Sequence, residues 1–231
     1  MEKHRNGRGI LATQQSSPAP PRQSLMISIN LPVDSVNTDQ LFSPDGLLRL
    51  VAIYYSMAAK WVGDCACGRR YRRHGSYVRL TPFPKGIRIQ RAYCPNCKIT
   101  HALLPCIVIP YSRAFAEVKE AAIKGLAYDH MAIESIAALC DIDPRTITRW
   151  WLQFQQKTDG LMSVLTRLLA DTSSPLDWAS GHLRTPKERA CKIFELVYRC
   201  RATFSEQCHF GDFAWLTLLD PYLLITRQTS R

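Results

Sequence analysis

Four cysteines carry the clearest chemistry in this chain: Cys65-Ala66-Cys67-Gly68 and Cys94-Pro95-Asn96-Cys97, with 26 residues between the pairs. The second pair has the spacing of a zinc knuckle, two thiolates two residues apart on a tight turn whose backbone amides can bond the sulfurs. Two knuckles at the tips of β-hairpins build a tetrahedral four-thiolate site, a zinc ribbon, and an all-sulfur site of this shape favours Zn²⁺ or iron–sulfur. Zinc is therefore the expected cofactor, in a structural role, because a small basic segment with little core depends on the metal for folding energy. The first pair departs from the knuckle pattern, being Cys-x-Cys. That leaves a Cys₃His variant open, with His74 or His101 replacing one thiolate. The other cysteines, at 106, 140, 191, 200 and 208, lie in apolar stretches and are expected to be small buried hydrophobes. Cys200 with Cys208-His209 is a weaker candidate for a second site.

A second constellation lies downstream, in Ile136-Ala-Ala-Leu-Cys-Asp141-Ile-Asp143-Pro144-Arg-Thr-Ile-Thr-Arg-Trp150. Ala137 is small where two helices must cross closely. Asp141 falls where a turn needs a left-handed residue, and Asp tolerates that region better than most side chains. Asp143 is a good N-cap, and Pro144 suits the first helical position. Ile147, Trp150 or Trp151, and Phe154 then form a buried face. The pattern is that of a helix-turn-helix, with Arg145, Thr146, Thr148 and Arg149 on the exposed N-terminal part of the second helix, the part that meets base edges in the major groove. A plain helical hairpin is the alternative.

The chain has 231 residues and 30 Lys+Arg against 19 Asp+Glu, a formal net charge of +11. Residues 60–101 hold ten basic residues and one acidic residue, so nine of the eleven net charges fall on the segment that also carries the paired cysteines. Arg69, Arg70, Arg72, Arg73, Arg79, Lys85, Arg88 and Arg91 are interleaved there with Tyr71, His74, Tyr77 and Tyr93. Arginine suits bidentate phosphate contacts and stacking, and few acids balance it. A phosphate-facing surface is expected rather than a merely solvated face.

These residues need elements to position them. Length allows one or two domains, and a composition of 46% hydrophobic and 21% charged residues is that of a globular protein. A flexible leader is expected over 1–24, an N-terminal strand (Leu25–Leu31) and helix (Leu47–Trp61) over 25–62, and the zinc ribbon over 63–110. The helix-turn-helix follows over 111–160, and a C-terminal helical region over 161–231. Within the ribbon, strands at Tyr77–Thr81 and Ile87–Tyr93 flank the turn-forming Pro82–Gly86, and Cys106–Ile109 reads as extended. Helices are expected at Ser112–Tyr128, Met131–Cys140, Pro144–Thr158, Leu161–Ala170, Pro186–Arg201 and Phe210–Leu219, with a linker at Asp171–Gly181. The fold class is α+β and mostly α. No run reaches the roughly 18–20 apolar residues of a membrane span, and the N-terminus lacks a signal-peptide core. A cytoplasmic, nucleoid-associated protein with reduced thiols is expected, with no membrane partner.

This order of parts resembles the N-terminal DNA-binding region of bacterial insertion-sequence transposases, where a zinc ribbon precedes a helix-turn-helix. The run Arg91-Ala-Tyr-Cys94-Pro-Asn-Cys97-Lys-Ile-Thr-His101-Ala-Leu-Leu-Pro105 is also similar to a family of uncharacterised bacterial zinc-ribbon proteins associated with mobile elements. The likeness covers roughly residues 60–155. It implies zinc on Cys65, Cys67, Cys94 and Cys97 and DNA readout by Arg145–Arg149. A transposase would add three acidic residues on an RNase H-like fold of well over 100 residues. The 71 residues after Gly160 read as helical instead.

The expected function is sequence-specific binding of double-stranded DNA without enzymatic activity, as a mobile-element accessory factor or transcriptional regulator. The alternatives are a protein- or RNA-binding interaction module and, further off, a truncated transposase or nuclease. The C-terminal helices could serve a homodimer, a recombination-machinery partner or a monomer core.

Overall fold

The computed structural model describes residues 26–32, 40, 42–170, 185–204 and 210–225. The expected leader, the linker Asp171–Gly181 and the Cys208-His209 pair lie outside the described residues. The fold is α+β and mostly helical. In chain order the elements are β1 (Met26–Ile29), α1 (Pro44–Lys60), β2 (Arg72–Arg79), β3 (Ile87–Cys94), β4 (Ile99–Pro105), α2 (Ala116–Ala127), α3 (Ile133–Cys140), α4 (Pro144–Gln155), α5 (Thr158–Ala170), α6 (Pro186–Phe204) and α7 (Asp212–Leu219).

The sheet is mixed, in the order β1-β4-β3-β2. β2 and β3 pair antiparallel from Arg72↔Tyr93 to Arg79↔Ile87, with a bulge between Arg73 and Ser76. β3 and β4 pair antiparallel only from Arg91↔Ala102 to Cys94↔Ile99. Beyond that point β4 turns its other edge to β1, in parallel register from Met26↔Ala102 to Ile29↔Pro105. β4 thus occupies Ile99–Pro105, whereas extended chain was expected at Cys106–Ile109; that stretch is instead a buried turn.

Helix α1 fills the gap where β3 and β4 part. Ser43 caps it, accepting the Gly46 amide at 3.2 Å, with Pro44 starting the helix, so it begins before the expected Leu47. Leu47, Leu50, Tyr54 and Ala58 form its buried stripe. The Tyr54 hydroxyl sits between the separated strands, accepting the Gln90 amide at 2.9 Å and donating to the Leu103 carbonyl at 2.8 Å. Tyr55 accepts the Arg88 amide at 3.0 Å. Two adjacent tyrosines therefore satisfy backbone groups that a continuous ladder would have paired.

The helices pack on the far end of the sheet through the same hydrophobic core. The Ala116 amide donates to the Ile107 carbonyl at 2.8 Å, and the Thr217 hydroxyl of α7 donates to the Cys106 carbonyl at 2.6 Å. Phe154 of α4, Phe194 of α6 and Phe213 of α7 stack with ring centroids 5.7–5.9 Å apart. Gly125 brings α2 against α3: a Cβ there would lie 3.2 Å from Ile136 Cδ1, a tight approach that a side chain would disturb. No helix among the described residues is long and apolar enough to cross a membrane.

Candidate metal centre and nucleic-acid interface

The two cysteine pairs arrive from different local structures. Cys65 and Cys67 lie in a tight loop closed by the Asp64↔Arg70 bridge, where the Cys65 amide donates to the Arg69 carbonyl at 2.9 Å. Gly68, at φ +77, lets the chain reverse immediately after Cys67. Cys94 ends β3 and Cys97 lies in the turn to β4, closed by the Lys98 amide donating to the Cys94 carbonyl at 2.9 Å. The Cys97 amide also points at the Cys94 sulfur, at 3.4 Å. This is the amide-to-sulfur geometry expected of a knuckle.

All four sulfurs lie within 4.8 Å of one another, so the group can hold a metal ion. The Sγ atoms of Cys65 and Cys97 are 3.8 Å apart and those of Cys67 and Cys94 are 3.6 Å apart. Four sulfurs at a Zn–S distance of about 2.3 Å form a tetrahedron with edges of about 3.8 Å, so the spacing is compatible with zinc. The one-residue separation of the first pair does not prevent convergence, because the Gly68 turn brings Cys65 and Cys67 to different sulfurs of the second pair.

The electrostatics point the same way. The Cys67 thiol is lowered to about 6, chiefly by the Arg69 amide and then by the Asn96 side chain. The Cys65 thiol is lowered too, chiefly by the Cys67 amide. Cys97 is instead pushed up to about 12 by the sulfurs of Cys67 and Cys65. Thiolates at Cys65 and Cys67 are favoured and one at Cys97 is opposed, and a cation at the centre would favour deprotonation of the whole set.

Among the described residues neither histidine joins this group. His74 stacks on Tyr93, with centroids 5.1 Å apart. His101 is buried, and its Nε2 is 3.1 Å from the Tyr71 hydroxyl. Cys106 and Cys200 are buried, as their apolar surroundings implied, while Cys140 and Cys191 are half-buried.

The basic residues divide into two sets. Arg69, Arg70, Arg72, Arg73, Lys85 and Arg88 are exposed. Among the described residues their one ion pair is Arg70 with Asp64, at 4.0 Å on the surface. Arg79 differs. Its Nε donates to the Thr81 carbonyl at 2.7 Å, and its Nη2 donates to the carbonyls of Ser112 at 2.6 Å and Ile109 at 3.2 Å. That guanidinium ties β2 to the chain entering α2, which removes it from the exposed set. Arg91 is half-buried.

In the helical part, Asp141 is left-handed at φ 51 and ψ 49, and the Ile142 amide after it donates to the Ala137 carbonyl at 3.0 Å. Asp143 caps α4 through the Arg145 amide at 2.7 Å. Ile147, Trp150 and Phe154 are buried, while Trp151 is half-buried. Arg145 and Arg149 are exposed and Thr146 and Thr148 half-exposed. Thr148 donates to the Pro144 carbonyl at 3.0 Å, and Arg149 reaches the Thr146 hydroxyl at 3.4 Å. The first two turns of α4 therefore offer two guanidinium groups without an acid partner among the described residues.

Residues 65–150 match the model of a family described as Domain of unknown function (DUF6431). The matched stretch contains all four cysteines, the basic strands and α3 with the exposed turns of α4. Curated proteins and solved structures gave no match to the chain.

Proposed function

We propose that this protein binds double-stranded DNA sequence-specifically, as a mobile-element accessory factor or transcriptional regulator. In this reading the cysteine cluster holds structural zinc and shapes a ribbon whose exposed arginines contact phosphates. α3 and α4 form a helix-turn-helix, and Arg145, Thr146, Thr148 and Arg149 read base edges. The observation that carries the reading is the α3–α4 junction: a left-handed Asp141, a capped α4 and two exposed arginines on its first two turns. The basic sheet supports it, since duplex affinity is dominated by phosphate contacts.

Fluorescence anisotropy on a duplex obtained by site selection tests this directly. Six exposed cations contacting six phosphates give a slope of about −5 in log affinity against log salt. Arg149→Ala should relax sequence preference, by about 1–3 kcal/mol at the base it contacts. Arg69→Ala should weaken all duplexes alike and flatten the salt slope by about one. Equal weak binding to every duplex would remove the specificity claim.

A further inference from the structure

The wedge of α1 between β3 and β4 leaves a cavity of about 360 Å³, and three of its lining arginines, Arg72, Arg73 and Arg88, also belong to the phosphate-contacting set of the DNA-binding reading. Its volume is at the lower end of the roughly 300–1,000 Å³ of small-molecule sites. Three aromatic residues contribute to its wall, Tyr55, Trp61 and Tyr71. They are held in place: Tyr55 by the Arg88 amide at 3.0 Å, Tyr71 by His101 at 3.1 Å, and the Trp61 ring by Tyr71, with centroids 5.7 Å apart. Four arginines, Arg72, Arg73, Arg88 and Arg91, also line it, and among the described residues no carboxylate does. None of the four has an ion pair among the described residues. Aromatic walls and the exposed arginines Arg72, Arg73 and Arg88 around one cavity ask for a ligand that is both flat and anionic.

We propose that this cavity binds a single nucleoside phosphate unit, with its base against the aromatic wall and its phosphate on the arginines. The unit can come from a free nucleotide or from an unpaired nucleotide at a strand end; the recognition chemistry is the same. Stacking on an aromatic side chain is tolerant of base identity, so the pocket selects the class of ligand more than the base. The Gln90 side chain, also in the wall, offers both a donor and an acceptor to a base edge.

Calorimetric titration of the full chain with a nucleoside 5′-monophosphate, the matching nucleoside and inorganic phosphate tests the proposal. The monophosphate should bind at least tenfold more tightly than either part. Arg88→Ala removes an exposed side chain and leaves its backbone bond to Tyr55 in place, so folding is not at risk; it should cost about tenfold or more. Trp61→Ala should cost a similar factor, with circular dichroism confirming the fold, and Arg49→Ala on the exposed face of α1 should cost nothing. A second arm compares blunt duplex with duplex carrying a 5′-phosphorylated single-stranded overhang. An overhang preference that free monophosphate competes away assigns the unit to a strand end, and monophosphate binding without that preference assigns it to a free nucleotide. Inorganic phosphate binding as tightly as the monophosphate overturns the proposal. So does monophosphate binding unaffected by Arg88→Ala, or an overhang preference that monophosphate cannot displace. The free-nucleotide arm requires no duplex binding, so its failure and failure of the DNA-binding reading are separately visible.

Discussion

Replacing Tyr54 by phenylalanine deletes one oxygen from a side chain with 0% exposure. That oxygen accepts the Gln90 amide at 2.9 Å and donates to the Leu103 carbonyl at 2.8 Å. Burial pushes the phenol well above its usual range, so it remains a donor at every working pH. Both backbone groups lie beyond the last β3–β4 pair, Arg91↔Ala102, so neither strand can take over the lost bond. A buried backbone group left unsatisfied costs about 1–3 kcal/mol. Two such groups put the loss at about 2–6 kcal/mol, less whatever water entering from the neighbouring cavity recovers. Against a total of about 5–15 kcal/mol for a typical domain this is a large fraction. Urea denaturation of both proteins followed by circular dichroism measures it, with an unchanged denaturant slope as the check that only stability moved. A loss below about 0.5 kcal/mol would show that the hydroxyl is not what joins the parted strands.

Lys119 is buried in α2 with its Nζ 3.4 Å from the Leu224 carbonyl, and burial, helped by Arg149, lowers it to about 8. Its folded pKa lies below the unfolded one, so the penalty is fully present below pH 8 and stability rises with pH from about 8 to about 10. That gap is worth roughly 3 kcal/mol; Lys119→Met should gain it at pH 7 and flatten the profile, and unchanged stability at pH 7 in denaturation curves would refute the assignment. At Asp141, φ 51 makes glycine acceptable and a β-branched residue strained. Asp141→Gly should hold the melting temperature within a few degrees while Asp141→Val loses about 1–2 kcal/mol, and equal stability of the two variants would refute the strained-turn argument.

The most legible parts were those whose signal is local. The turn between α3 and α4 follows from Asp141, Asp143 and Pro144 within four residues of sequence, and each residue adopts the geometry its chemistry favours. The Cys94–Cys97 turn follows from its spacing in the same way. What local pattern could not reach is long-range. The parallel pairing of Met26–Ile29 with Ala102–Pro105 joins segments some 76 residues apart, and no periodicity encodes a partner. Tyr54 reads as one more residue of an apolar stripe, because a hydroxyl bridging two strands has no sequence signature. Arg79 reads as one of eight equivalent cations until the carbonyls of Ile109 and Ser112 are seen to claim it. The cavity depends on where β3 and β4 separate, so its aromatic and basic residues looked like a charge run with tyrosines in it. A signal was present in Tyr54-Tyr55 and in the alternation of Arg88, Gln90 and Ala92 on one strand, but only the sheet register converts it to a pocket.

Under the proposed function, a basic sheet organised by a metal on Cys65, Cys67, Cys94 and Cys97 supplies most of the affinity for duplex DNA. Duplex affinity measured by anisotropy at one fixed salt concentration, for metal-loaded protein and for protein stripped with a chelator, tests it most directly. If the four cysteines hold a metal that clamps the basic sheet, removing it should lower the affinity at least about tenfold, restored by adding zinc. Undiminished affinity in the stripped protein, with the loss of metal verified by elemental analysis, would contradict it.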